Sequence, residues 1–147
     1  LNAIRFAAKE LSRKIVLDGE GATRFIEIIV KGSKTEKIAG AVAKRIATSN
    51  LVKTMIAGGD PNWGRIAAAV GSSGVRINPN RMDIYFGNIL VMKNGAGVNV
   101  SRELLLGVFK KKEIKITADL KSGKCSDTVW TCDLTKEYVR INAEYET

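Results

Sequence analysis

The chain has 147 residues, 45% of them hydrophobic, two cysteines, no histidine and a formal net charge of +9. That length supports one packed core and does not favour a second, so residues 1–147 are expected to form a single domain. No stretch approaches the roughly 20 consecutive apolar residues that span a bilayer, and no basic segment precedes an apolar signal core, so a soluble cytoplasmic protein without a membrane partner is expected.

Leu1 is followed by Phe6-Ala7-Ala8-Lys9-Glu10-Leu11, a helix already in progress with no cap before it. The chain is therefore expected to begin inside a larger polypeptide. Asp18 to Gly21 is a glycine-rich turn, and Arg24 to Val30 is rich in β-branched and aromatic residues, which predicts a strand closed by Gly32. Ser33 to Asn50 places Ile38, Ala41, Val42, Ile46 and Ala47 near helical spacing. Ser33 or Thr35 can cap that helix, and Glu36 lies in its first turn.

Leu51 to Ala57 is short and apolar and reads as a strand leading to the Gly58-Gly59 turn. Arg65 to Gly71 reads as a second helix. Met82 to Phe86 and Ile89 to Lys93 are split at Gly87-Asn88, a pairing suited to a tight hairpin. Asn94 to Gly97 reads as the most flexible internal stretch, a candidate mobile loop near a ligand.

Ser101 to Lys112 opens with a capping residue and repeats apolar residues at Leu104, Leu105, Val108 and Phe109. Glu113 to Leu120 alternates, and Cys125 to Asn142 reads as further strand after the Lys121 to Lys124 turn. The order predicts an α+β fold, a mixed and largely antiparallel sheet with one face covered by helices.

Cys125 and Cys132 stand seven apart on a predicted strand, hence on opposite faces, and read as reduced structural thiols. With no histidine, neither a metal site nor a Ser-His or Cys-His pair is expected. The positive charge invites a nucleic-acid reading, but Lys110-Lys111-Lys112 is the only basic run and follows a predicted helix, where cations answer the helix dipole. Asp18 to Thr23 and Asn94 to Gly97 lack the spacing of either glycine-rich phosphate-binding fingerprint.

Three segments are more specified than helix or strand propensity requires. They are Asp18-Gly19-Glu20-Gly21-Ala22-Thr23, Gly59-Asp60-Pro61-Asn62-Trp63-Gly64-Arg65, and Trp130-Thr131-Cys132-Asp133-Leu134-Thr135 continuing through Tyr138-Val139 to Ile141-Asn142. In that order they resemble the ornithine acetyltransferases, or bifunctional glutamate N-acetyltransferases, of arginine biosynthesis. The match is to the C-terminal part of the β chain and runs from about Ile15 to Thr147.

The resemblance implies the N-terminal-nucleophile-like, DmpA-related fold. It also implies a precursor that cuts itself before a threonine, which then carries acetyl from N-acetylornithine to glutamate. That threonine would lie upstream and the oxyanion-hole Thr-Gly in the α chain, so no catalytic residue is expected in this chain. Glu20, Asn142 and Thr147 correspond to substrate contacts. Glu20 would pair with an ammonium group, its flanking glycines letting a ligand approach, and Asn142 suits an α-carboxylate or an acetamide.

Asp60, Asn62, Trp63 and Arg65 read as scaffold, with a buried Arg-carboxylate pair fixing their loop. Implied partners are the α chain and the rest of the β chain, in a heterotetramer or larger, with no nucleic acid. No resident cofactor or metal is implied, although bifunctional members also accept acetyl-CoA. The competing readings are a basic nucleic-acid-binding module and an inert structural fragment.

Overall fold

Strand β1 (Phe25–Ser33) is the axis of the fold. It pairs in parallel with β5 (Glu113–Asp119) on one side and antiparallel with β6 (Cys125–Cys132) on the other. The computed structural model describes residues 2–144. Its sheet has six strands in the order β4-β3-β2-β5-β1-β6, adding β2 (Asp83–Phe86), β3 (Ile89–Lys93) and β4 (Ala96–Gly97). Every pairing except β1 with β5 is antiparallel, the mixed and largely antiparallel arrangement expected.

Alternation along β1 sends Ile26, Ile28 and Val30 into the core with no exposed surface. Helix α2 (Glu36–Ala47) covers them with Ala39, Val42, Ala43 and Ile46. Thr35 caps this helix, accepting from the Ile38 amide at 3.2 Å, while Ser33 is buried at the end of β1. Helix α4 (Trp63–Gly71) adds Ile66 and Val70 to the same layer. Helix α5 (Arg102–Phe109) closes it with Phe109, edge-on to Phe86 at 5.0 Å. The opposite sheet face carries Glu27, Lys115 and Trp130 and is only partly covered.

Three expectations are corrected. Residues 51–57 lie in helix α3 (Asn50–Ala57), not a strand: the long predicted helix ends at Thr48, and Ser49 caps a new one. Val52, Met55 and Ile56 are buried at i, i+3 and i+4, a helical period that a short apolar run conceals. Strand β6 stops at Cys132, and Lys136–Glu144 forms helix α6, capped by Thr135, whose hydroxyl accepts from the Tyr138 amide at 3.4 Å.

Asn94-Gly95 is a hairpin turn joining β3 to β4, with both residues at positive φ, so this stretch is held in the sheet. Asn-Gly is the dipeptide such a turn favours. The cysteines are free and lie at opposite ends of β6. Helix α1 (Asn2–Leu17) leans on the sheet edge, with Lys9 over the Trp130 ring and Arg13 over the Phe25 ring. Arg13 also pairs with Glu113.

Asp83 locks the β3–β4 turn to the end of β5. Its buried carboxylate accepts from the Asn94 amide at 2.7 Å and pairs with Lys121 Nζ at 2.6 Å. Burial pushes its pKa up, but the Lys121 hydrogen bond, the Asn94 amide and the charges of Lys121 and Lys93 together hold it below 3.8. A depressed carboxylate stabilises the fold fully above its unfolded pKa, and that contribution is lost as pH falls through the folded value. Asp83→Asn is expected to cost about 1–3 kcal/mol at pH 7 and progressively less below about pH 4. Urea unfolding of both proteins at pH 7 and pH 3 checks this: the gap between them narrows in acid.

Candidate functional site

The turn before β1 and helix α6 meet although they stand at opposite ends of the chain. Asn142 Nδ2 donates to Glu20 Oε2 at 2.6 Å and to the Tyr138 carbonyl at 2.9 Å. Two of the three residues singled out as substrate contacts are thus brought together, and Thr147 lies outside the described residues. Both side chains are on the exposed surface.

Both amide hydrogens of Asn142 are committed, so what it still offers is its carbonyl oxygen. In this arrangement Glu20 and Asn142 together present acceptors, which suit an ammonium group or an acetamide N–H.

The Glu20 turn is fixed from beneath by Asp133, a carboxylate with 3% of its surface exposed. It accepts from the Thr23 amide at 2.8 Å, the Thr23 hydroxyl at 2.5 Å and the Arg24 amide at 2.9 Å. Arg24 Nη1 lies 3.7 Å from the same carboxylate and donates to the carbonyls of Ile56 and Ala57, at the negative end of α3. From above, Thr135 donates its hydroxyl to the Gly21 carbonyl at 2.6 Å while capping α6.

Gly21 has φ +65, and a Cβ there would meet the Tyr138 nitrogen at 2.6 Å; one on Gly19 would meet Cys132 Sγ at 3.0 Å. The glycines beside Glu20 thus allow the close approach of α6 and β6. On α6 itself, Arg140 bonds Glu137 and Glu144, and its hydrogen bond holds the Glu137 carboxyl below the usual range.

Residues 59–65 are joined to neither Glu20 nor Asn142 by any hydrogen bond or ion pair among the described residues. Arg65 Nη1 donates to the Leu51 carbonyl at 3.0 Å and approaches Thr54 Oγ1 at 3.4 Å, tying α4 to α3. The expected Arg-carboxylate pair is absent among the described residues, and a helix carbonyl takes its place. Trp63 packs on Gly97, where a Cβ would meet the ring at 2.8 Å. Asn62 stands at the N-cap of α4 without a side-chain cap bond, and Asp60 is exposed.

Asp133, Thr135 and Arg24 are the positioning residues that sequence reasoning passed over, though two of them stood inside a motif already singled out. Lys110, Lys111 and Lys112 are exposed just past the end of α5. Among the described residues, no group of three or more acidic or cysteine side chains is placed to hold a metal ion, and no helix is long and apolar enough to cross a membrane.

The ArgJ family model matches residues 1–147. The chain is 47% identical to the glutamate N-acetyltransferase of Methanocaldococcus jannaschii over 99% of its own length and 38% of that protein's. It is 45% identical to the arginine biosynthesis bifunctional protein ArgJ of Desulfotalea psychrophila, covering 97% and 37% of the two chains. The crystal structure of the Bacillus halodurans arginine biosynthesis bifunctional protein ArgJ superposes with a TM-score of 0.94 at 42% identity, over 98% of this chain and 68% of that one. The chain thus spans 37–38% of the length of these two curated relatives.

Two outcomes test the local reading. Arg65→Met is expected to lower stability by about 1–2 kcal/mol through the lost α3 contact, measurable as a fall in Tm. Lost activity at unchanged Tm would instead give Arg65 a role at the reacting groups. Gly21→Ala is expected to unseat α6, read as faster amide hydrogen exchange over residues 136–144 with β1 and β5 still protected.

Proposed function

We propose that this chain, which belongs to the ArgJ family, is the substrate-holding segment of a glutamate N-acetyltransferase that moves acetyl from N-acetylornithine to glutamate. The observation that carries the reading is the pairing of Glu20 and Asn142, whose amide donates to the Glu20 carboxylate at 2.6 Å, by elements from both ends of the chain. In N-acetylornithine the α-nitrogen is acylated, which leaves the side-chain ammonium as the cation to recognise. A carboxylate beside an amide oxygen is suited to that group.

The acyl step in this reading belongs to a threonine outside the present residues. Its hydroxyl oxygen attacks the acetyl carbonyl, its own α-amine takes the hydroxyl proton, and the C–N bond breaks as the proton passes to the departing ornithine nitrogen. The glutamate α-amine then attacks the acetyl ester, and the threonine hydroxyl is restored. The chain holds no histidine, so activation by an amine rather than an imidazole is consistent with its composition. Acetyl-CoA, where it serves, would acylate the same threonine, and the scheme needs no resident cofactor.

Helix α1 supports the further proposal that the remainder of the polypeptide docks here. Ile4, Leu11 and Ile15 fall on one side of it and are 73%, 61% and 73% exposed. An apolar stripe of that kind ordinarily meets a partner. The reading places this chain in an assembly of both processed chains, a heterotetramer or larger.

The test is acetyl transfer from N-acetylornithine to glutamate, with this chain alone and after co-expression with the remaining polypeptide. Transfer is expected only on co-expression. In the active assembly, Glu20→Gln is expected to lower kcat/KM for N-acetylornithine roughly 10- to 100-fold, from loss of one charge-assisted contact, at unchanged Tm. Unchanged kcat/KM in that variant would remove Glu20 from substrate recognition.

A further inference from the structure

A broad concavity lies at the end of the sheet away from Glu20. Residues that follow β1 and β5 share one end because those strands run in parallel, whereas the Glu20 turn precedes β1. At that far end, Lys34, Ile38 and Leu120 face the segment Arg76 to Arg81 across a cleft of about 550 Å³. Three cations line it: Lys34, Arg76 and Arg81. Among the described residues, none of the three forms an ion pair, and no carboxylate lines the cleft.

Their neighbours are treated differently. Lys31 pairs with Asp119 at 3.5 Å and Lys121 with Asp83 at 2.6 Å, so cations on the same strand ends are neutralised within the fold. Like charges gathered round a concavity repel, more strongly than on a flat surface because low-dielectric walls focus the field. The rim is also rigid. Ser122 donates both its amide, at 2.6 Å, and its hydroxyl, at 3.0 Å, to the Gly32 carbonyl, and Asn78 caps the 3-10 turn Pro79–Arg81 through the Asn80 amide. Ile38, Ile77 and Leu120 add apolar wall.

We propose that this cleft is a binding site for a small organic anion carrying at least two negative charges, separate from the acetyl-transfer site. Arg76 and Arg81 supply planar donor forks suited to phosphate or carboxylate oxygens, and Lys34 supplies a point charge from the opposite wall. The apolar wall accommodates the carbon body of such a ligand, and the fixed rim limits the ordering cost of binding.

The experiment is calorimetric titration of the protein, assembled with the rest of its polypeptide, with inorganic pyrophosphate and separately with citrate. Binding of at least one probe is expected, weakened about tenfold or more in Arg76→Ala/Arg81→Ala, since each lost guanidinium removes a charge-assisted contact. The control Lys110→Ala/Lys111→Ala removes the same net charge past the end of α5 and is expected to bind as the parent does. Binding of pyrophosphate alone assigns a phosphate ester, of citrate alone a polycarboxylate, and of both a site that reads charge. Absence of binding by either probe, or equal weakening in the control, overturns the proposal. Neither exposed arginine is a packing residue, so thermal melts of the variants are expected to overlay the parent. Glu20 plays no part in the measurement, so its outcome is independent of the acetyl-transfer reading.

Discussion

A single buried carboxylate determines how the ends of this chain meet. Asp133 takes two amides and a hydroxyl from Thr23 and Arg24, and so fixes where β1 begins relative to where β6 stops. Burying a charge is costly unless it is hydrogen-bonded and opposed, and the Arg24 guanidinium at 3.7 Å completes that opposition. Arg24 then reaches the last carbonyls of α3, and the Leu134 amide donates to the Lys53 carbonyl at 3.3 Å. Three elements distant in sequence are pinned within one hydrogen-bonded cluster, and the Glu20 turn sits on top of it.

The parallel pairing of β1 with β5 then separates two kinds of chemistry. Residues before β1 collect at one end of the sheet with α6, where Glu20 and Asn142 offer acceptors to a cation. Residues after β1 and β5 collect at the other end, where Lys34 and Arg81 face one cleft. Had β1 and β5 been antiparallel, the Lys34 and Leu120 ends would stand apart and the cationic cleft would not form. The excess positive charge of the chain is thus not spread evenly. Part of it is concentrated in a concavity, where electrostatic attraction for small anions is greatest.

How far the sequence could be read depended on whether the deciding contact was local. The helix from Glu36 was legible because Thr35 and the apolar period both lie within it, and the hairpin at Gly87-Asn88 because its turn chemistry is contained in two residues. Residues 51–57 are misread as a strand because seven apolar-rich positions satisfy strand and helix alike until Ser49 is recognised as a cap. Residues 136–142 are misread as strand because the preceding strand hides the Thr135 cap. Glu20 and Asn142 were reached through motif resemblance, but their contact spans 122 residues and no local pattern encodes it. Asp133 was invisible as an anchor because an acidic residue declares itself buried only once its partners surround it.

The same geometry makes α6 the weakest part of the site. It buries none of its described side chains in the core, and it is held by the Thr135 hydroxyl, the Gly21 approach and the Asn142 bond to Glu20. Such an element opens at a cost well below that of unfolding the sheet. When it opens, Asn142 leaves and Glu20 is released from its partner, while Asp133 keeps the turn itself in place. A cation bound between Glu20 and Asn142 therefore favours the docked helix by its full differential affinity, and the affinity measured is reduced by the undocked fraction. Binding of a cation there and the seating of this helix are in that sense one equilibrium. The glycine at position 21 is part of that seating, because a Cβ there would meet the Tyr138 nitrogen at 2.6 Å.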